Sequence, residues 1–139
     1  MTAKPVLDHI GIAVESIDSG LAIYRALGVE VEAVEEVEEQ MVRVAFLPVG
    51  DARIELLEPT DDASPVARHL AKRGAGLHHI CIRVPDIREA MAQLSAEGHR
   101  LLSEEPLRGA HGCLVCFVHP KSTGGVLIEL SESVGDRDE

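Results

Sequence analysis

Apolar and other residues alternate from Pro5 to Val14 and again from Leu77 to Val84, so that Ile10, Ile12 and Val14 form one row and Ile80, Ile82 and Val84 another. A period of two predicts a strand in each place. Both strands lead into a helical stripe. Ser16 or Asp18 caps a run carrying Ile17, Leu21 and Tyr24 that closes at Gly28, and Asp86 caps a helix over 86–97 that closes at Gly98. Behind the first helix, 29–37, 41–47 and 53–58 read as strands, the last two divided by Pro48-Val49-Gly50-Asp51. Behind the second, strands are expected near 99–102, 113–118 and 125–131. Ser64-Pro65 supplies a cap and a first-turn proline for a short connector helix that stops near Gly74. The order βαβββ is thus written twice.

The two copies match residue for residue over their first half. Leu7-Asp8-His9-Ile10-Gly11-Ile12-Ala13-Val14 returns, 70 residues on, as Leu77-His78-His79-Ile80-Cys81-Ile82-Arg83-Val84. The same offset carries Ile17 onto Ile87, Leu21 onto Met91, Tyr24 onto Leu94 and Gly28 onto Gly98, so a whole supersecondary unit is repeated. This predicts an α+β fold of two tandem βαβββ modules related by a pseudo-twofold and forming a curved mixed sheet. One domain is expected over 1–139, with module one at 5–60, a connector helix at 61–75, module two at 76–132 and a polar tail at 133–139.

Strand parity singles out four residues. In the first strand of each module His9 and His79 face away from the isoleucine rows. In the last, Glu55 opposes Ile54 and Leu56, and Glu129 opposes Val126, Ile128 and Leu130. With helices on one face of the sheet, the other becomes a concave cleft that these residues line. A single strand His is usually structural and a single strand Glu usually solvated, but independent structural roles have no reason to recur at equivalent places in both copies. Two neutral imidazoles and two carboxylates suit one borderline divalent ion such as Co, Ni, Mn, Fe or Zn, and are too nitrogen-rich for Ca or a typical Mg site. Open positions would be left for substrate. His78 has the opposite parity and is assigned to packing or to support of the site.

Composition narrows the alternatives. Among 139 residues 45% are hydrophobic and 2% aromatic, with no Trp, so the core is built from Val, Ile, Leu and Ala. A net charge of −11 argues against a nucleic-acid partner. Residues 1–5 lack the apolar stretch of a signal peptide and no run is long enough to span a bilayer, so a cytoplasmic protein with no membrane partner is expected. Cys81, Cys113 and Cys116 are odd in number and sit in apolar, strand-like runs, as reduced buried thiols do. Cys113 and Cys116 are three apart, which on a strand puts them on opposite faces and excludes a shared metal. In the loop from His119 to Gly125, Lys121 and Ser122 are the candidate contacts for an anionic substrate, helped by glycine backbone amides.

Several ordered stretches carry a resemblance: Leu56-Leu57-Glu58-Pro59, Ser64-Pro65-Val66-Ala67, Gly76-Leu77-His78-His79-Ile80, Glu104-Glu105-Pro106, Gly109-Ala110-His111-Gly112, and His119-Pro120-Lys121-Ser122-Thr123-Gly124-Gly125-Val126-Leu127-Ile128-Glu129. With the paired βαβββ pattern they resemble the vicinal oxygen chelate superfamily and, within it, the methylmalonyl-CoA epimerases. The resemblance covers nearly the whole chain. It implies a metal-dependent isomerase of the propionate route that epimerises an acyl-CoA substrate by α-proton abstraction through a metal-stabilised enolate, and a homodimer. It makes Glu129 both ligand and base, with Glu55 as a possible second base. Several relatives have Gln at the second ligand position. Glu55 adds a negative charge there, which favours a cation and opposes an anionic substrate.

Three rivals share the fold. Glyoxalase I, lactoylglutathione lyase, uses a similar His, Glu, His, Glu set; a ring-cleaving dioxygenase of the superfamily typically has one carboxylate and two imidazoles. A metal-free binding module would bind through an aromatic-lined pocket, which suits one Tyr and two Phe poorly.

Overall fold

The structure, a computed structural model, describes residues 4–109 and 112–133. Ala110 and His111 of the Gly109–Gly112 motif and positions 134–139 of the expected tail lie outside them. The chain divides into two compact units, one of residues 9–78 and one combining the residues up to Asp8 with those from His79 onward. The division falls within β1 (Val6–Ala13).

In the unit of residues 9–78, β1 is followed by α1 (Ile17–Ala26), β2 (Ala33–Val37), β3 (Val42–Val49), β4 (Ala52–Pro59) and the connector α2 (Pro65–Arg73). The strands stand in the order β2-β3-β4-β1, with β4 parallel to β1 and antiparallel to β3. Ser16 caps α1, its hydroxyl accepting from the Ser19 N–H at 3.3 Å. Gly28 follows the helix at a φ of 87°, a left-handed conformation that closes it at low cost. α1 seals one face of the sheet, where Ile17, Leu21, Ala45, Leu47 and Leu56 pack together.

The connector does more than join modules. Its Val66 and Leu70 pack on the other face, against Ala13, Val42, Val44, Phe46 and Leu57. That face was expected to stay open as a cleft, but its apolar residues need cover too, and α2 provides it at the far end from His9. Ser64, fully buried, accepts the Val66 N–H at 3.1 Å and donates to the Gln40 carbonyl at 3.3 Å, fixing the start of α2 to the 3-10 turn at 38–40.

In the second unit β5 (Gly76–Arg83), which enters it at His79, precedes α3 (Ile87–Ala96), β6 (Leu107–Arg108), β7 (Leu114–Val118) and β8 (Ile128–Glu132), in the order β5-β8-β7-β6 with β8 parallel to β5. Asp86 caps α3 by accepting from the Glu89 N–H at 3.1 Å, and Gly98 closes it. Ile87, Met91, Cys116, Val118 and Leu130 form the core beneath this helix.

Three expected strands change. Residues 29–32 lie outside β2, since Val29 still bonds back to the Tyr24 carbonyl of α1. The strand expected at 99–102 shrinks to one bridge, Leu101 to Val118, and the strand that pairs with β7 on the side away from β8 is instead the two-residue β6. Ser103-Glu104-Glu105-Pro106 bends the chain away before a ladder can grow, the Ser103 hydroxyl donating to the Glu105 carbonyl. The strand expected from 125 begins at Ile128, because the Gly125 N–H turns back to the Pro120 carbonyl at 2.8 Å.

A shared device anchors both βαβ units. β4 reads Ile54-Glu55-Leu56-Leu57-Glu58 and β8 reads Ile128-Glu129-Leu130-Ser131-Glu132. The second carboxylate in each turns to the helix side: Glu58 Oε1 accepts the Ile17 N–H and Glu132 Oε1 accepts the Ile87 N–H, each at 2.8 Å. A carboxylate at a helix N-terminus satisfies an orphan donor and meets the positive end of the dipole. Replacing Glu132, 6% exposed, with Ala is expected to cost about 1–3 kcal/mol of stability and to shift the urea midpoint accordingly, with a smaller loss at Glu58. An unchanged midpoint in Glu132→Ala would show that the amide finds another acceptor.

Candidate active site

Parallel pairing builds one His–Glu pair in each unit by the same geometry. His9 faces Arg53 across β1 and β4, and Glu55 lies one same-face step further on, opposite Gly11. In the second unit Glu129 lies opposite Cys81, again one same-face step beyond its histidine, His79. His9 Nδ1 stands 3.2 Å from Glu55 Oε2, and His79 Nε2 stands 3.1 Å from Glu129 Oε1. All four side chains are about nine-tenths buried, the most open being Glu129 at 12%.

Each pair has an aromatic wall. Phe46 is the antiparallel partner of Glu55, and Phe117 the partner of Glu129. These are the only two phenylalanines of the chain. Phe117 sets its ring at 82° to that of His79 with centroids 6.4 Å apart, the edge-on geometry that aromatic rings prefer. Sequence reasoning overlooked both, although their positions 46 and 117 nearly obey the repeat.

Arg53 joins the first pair, and sequence reasoning overlooked it too. Its Nη2 donates to Glu55 Oε2 at 3.0 Å, and its guanidinium carbon lies 5.8 Å from the centre of the Phe46 ring. Its parity with Glu55 was the available signal.

The donors suit a borderline divalent ion: in each unit an imidazole nitrogen and a carboxylate oxygen converge within a hydrogen-bond distance in a largely dry setting, which a cation would occupy without leaving a buried charge unmatched. The cysteines do not join such a set as a pair. Cys113 precedes β7, and Cys116 sits in the core under α3, where burial pushes its thiol pKa up and favours the protonated form. Cys81 donates to the Ser131 hydroxyl at 3.3 Å, and among the described residues no cysteine forms a disulfide.

The Lys121 loop is a built turn. The Lys121 N–H donates to His119 Nδ1 at 3.0 Å, the Ser122 and Thr123 amides bond within the turn, and the Ser122 hydroxyl accepts the Arg100 N–H at 2.9 Å. These amides therefore serve the loop, and Lys121, exposed, carries its outward charge. A groove of about 670 Å³ lies elsewhere in this unit, between α3 and the 101–106 segment, and its lining residues include no histidine. His78 packs edge-on against His69 of α2 at 4.9 Å, the packing role its parity indicated.

With this geometry in hand the relatives are decisive. Residues 8–117 match the family model of the Glyoxalase/Bleomycin resistance protein/Dioxygenase superfamily. The chain is 43% identical over 129 residues to the mitochondrial methylmalonyl-CoA epimerase of Homo sapiens, covering 91% of this chain and 73% of that protein. It is equally identical, 43% over 129 residues, to the ethylmalonyl-CoA/methylmalonyl-CoA epimerase of Cereibacter sphaeroides, with 91% and 96% covered. The chain belongs to the methylmalonyl-CoA epimerase family of this superfamily.

Among solved structures, a Streptomyces coelicolor methylmalonyl-CoA epimerase variant in complex with 2-nitronate-propionyl-CoA superposes with a TM-score of 0.87 at 42% identity, over 93% of this chain and 97% of that one. The α+β class of paired βαβββ units expected from the repeat is that of these epimerases. Among the described residues no helix is long and apolar enough to cross a membrane.

Burial, followed by the nearby Arg73 charge, lowers the pKa of His69 below the ordinary histidine value. The unfolded chain therefore takes up that proton first, so this contribution to stability is held above about pH 6.5 and lost as the pH falls below it. Urea midpoints measured from pH 7.5 to 5 are expected to decline less steeply in His69→Gln than in the parent. Identical slopes would assign the decline to other groups.

Proposed function

We propose that this protein interconverts the epimers of methylmalonyl-CoA by taking the proton from the carbon between thioester and carboxylate and returning one to the opposite face. The observation that carries the reading is the His–Glu pair repeated on the first and last strands of both modules, in a chain 43% identical to proteins named methylmalonyl-CoA epimerase. His9, Glu55, His79 and Glu129 would together hold one divalent ion, Co first among Co, Ni, Mn, Fe and Zn. When bound, such an ion supplies Lewis-acid stabilisation of the negative charge that grows on the substrate oxygens.

The chain's own groups account for the proton. Glu129, which the family resemblance makes both ligand and base, is assigned to take the proton, and a positioned carboxylate contributes roughly 10²–10⁴ in rate. Phe117, paired with Glu129 across the strands and edge-on to His79, forms the apolar wall beside that carboxylate. Glu55 is the second carboxylate, assigned to the return of the proton. Lys121 meets the anionic acyl-CoA from the loop ahead of β8, and Ser122 sets that loop's shape through Arg100. A single domain over 1–139, a homodimer and a cytoplasmic location complete the proposal.

Solvent deuterium uptake at the α-carbon of methylmalonyl-CoA tests this directly. The protein as isolated and after reloading with Co is expected to exchange and epimerise, and the chelator-stripped protein to stop. Glu129→Gln is expected to slow exchange roughly 10²–10⁴-fold while retaining its fold by circular dichroism. Absence of exchange in the Co-loaded protein, with turnover of methylglyoxal and glutathione instead, would replace the epimerase reading by glyoxalase chemistry.

A further inference from the structure

A nearly buried carboxylate at position 55 poses an electrostatic problem, because the substrate assigned above is itself an anion that gains charge on deprotonation. We propose that Arg53 is the positioning residue that solves it, holding the Glu55 carboxylate and cancelling its charge toward the anionic substrate. The inference rests on the proposed function for the identity of that substrate.

Three observations carry it. The Arg53 guanidinium is clamped between the Phe46 ring and Glu55 Oε2, so its charge is fixed in place and partly withdrawn from water, at 29% side-chain exposure. The oxygen it holds is the one facing His9 Nδ1, so one contact orients both members of the pair. The sheet itself does not require a cation there. The repeat places Leu127 at the corresponding position two residues before Glu129, and the second His–Glu pair forms at nearly the same distance beside it. The second strand thus carries no Arg at the position that corresponds to Arg53.

The sign of the effects separates this role from simple support of the fold. Removing a fixed positive charge leaves an unmatched carboxylate, which attracts a cation more strongly and repels an anion. The experiment compares parent, R53M, R53K, E55Q and R53M/E55Q by Co²⁺ titration calorimetry on the metal-free protein, by steady-state kinetics with methylmalonyl-CoA, and by thermal unfolding of the metal-free form. R53M is expected to raise KM about tenfold, to lower kcat several-fold because Glu55 loses its orientation, and to bind Co²⁺ several-fold more tightly. R53K is expected to keep most of the parent KM, and R53M/E55Q to return KM to within about twofold of E55Q alone.

A KM that R53M raises equally whether or not Glu55 is present, or does not raise at all, overturns the proposal, as does weaker Co²⁺ binding by R53M. Should the parent neither bind Co²⁺ nor epimerise, the proposed function fails on that control. The pair is then judged by unfolding alone: R53M must lower the midpoint more than R53M/E55Q does, because only R53M leaves a buried charge without its partner. Equal midpoints would overturn it.

Discussion

The parallel pairing of the first and last strand in each βαβ unit is the constraint from which the rest follows. Parallel register fixes which residues share a face and where along the strand they meet. In β4 and β8 the sequence Ile-Glu-Leu-x-Glu then sends two carboxylates three residues apart to opposite faces. The first meets an imidazole, Glu55 with His9 and Glu129 with His79; the second meets a helix N-terminus, Glu58 with Ile17 and Glu132 with Ile87. A slip of one residue would turn Glu55 and Glu129 toward the helices and break both contacts at once. The site and the helix anchor are therefore specified together.

Burying acids and imidazoles in a chain this poor in aromatics requires that every group find a partner. The structure answers by concentrating what it has. Both phenylalanines stand opposite the site glutamates, where a wide apolar surface dries the pair and strengthens its electrostatics. Valine, isoleucine and leucine do the remaining packing under α1, α2 and α3.

The two copies have also diverged, and the differences are chemical. Where one strand carries Arg53 the other carries Leu127. The hairpin between β3 and β4 spans only Gly50-Asp51, while the connection from β7 to β8 runs over 119–127 and presents Lys121. Duplication supplied two similar His–Glu pairs, and divergence placed Arg53 beside one and an exposed lysine on the loop ahead of the other. The two carboxylates thus share a geometry and differ in their surroundings.

Local rules made much of this readable from sequence. Alternation locates β1 and β5, caps and glycines bound all three helices within a residue or two, and repeat plus parity single out His9, Glu55, His79 and Glu129. The failures have one cause: 29–32, 99–102 and 125–127 have strand-like composition, but their hydrogen bonds go to a helix end, a single bridge and a turn, and pairing is a property of the partner. Arg53, Phe46 and Phe117 escaped for a related reason, since a cross-strand neighbour depends on register that period two alone leaves open. The sequence by itself determined the repeated βαβββ order and the face on which each His and Glu stands, because these follow from backbone periodicity. Only the tertiary structure decided which groups touch: that α2 covers part of the site face, that Glu58 and Glu132 hold the helices, and that Arg53 holds Glu55, because each contact joins side chains that only a particular strand register and helix placement bring within reach.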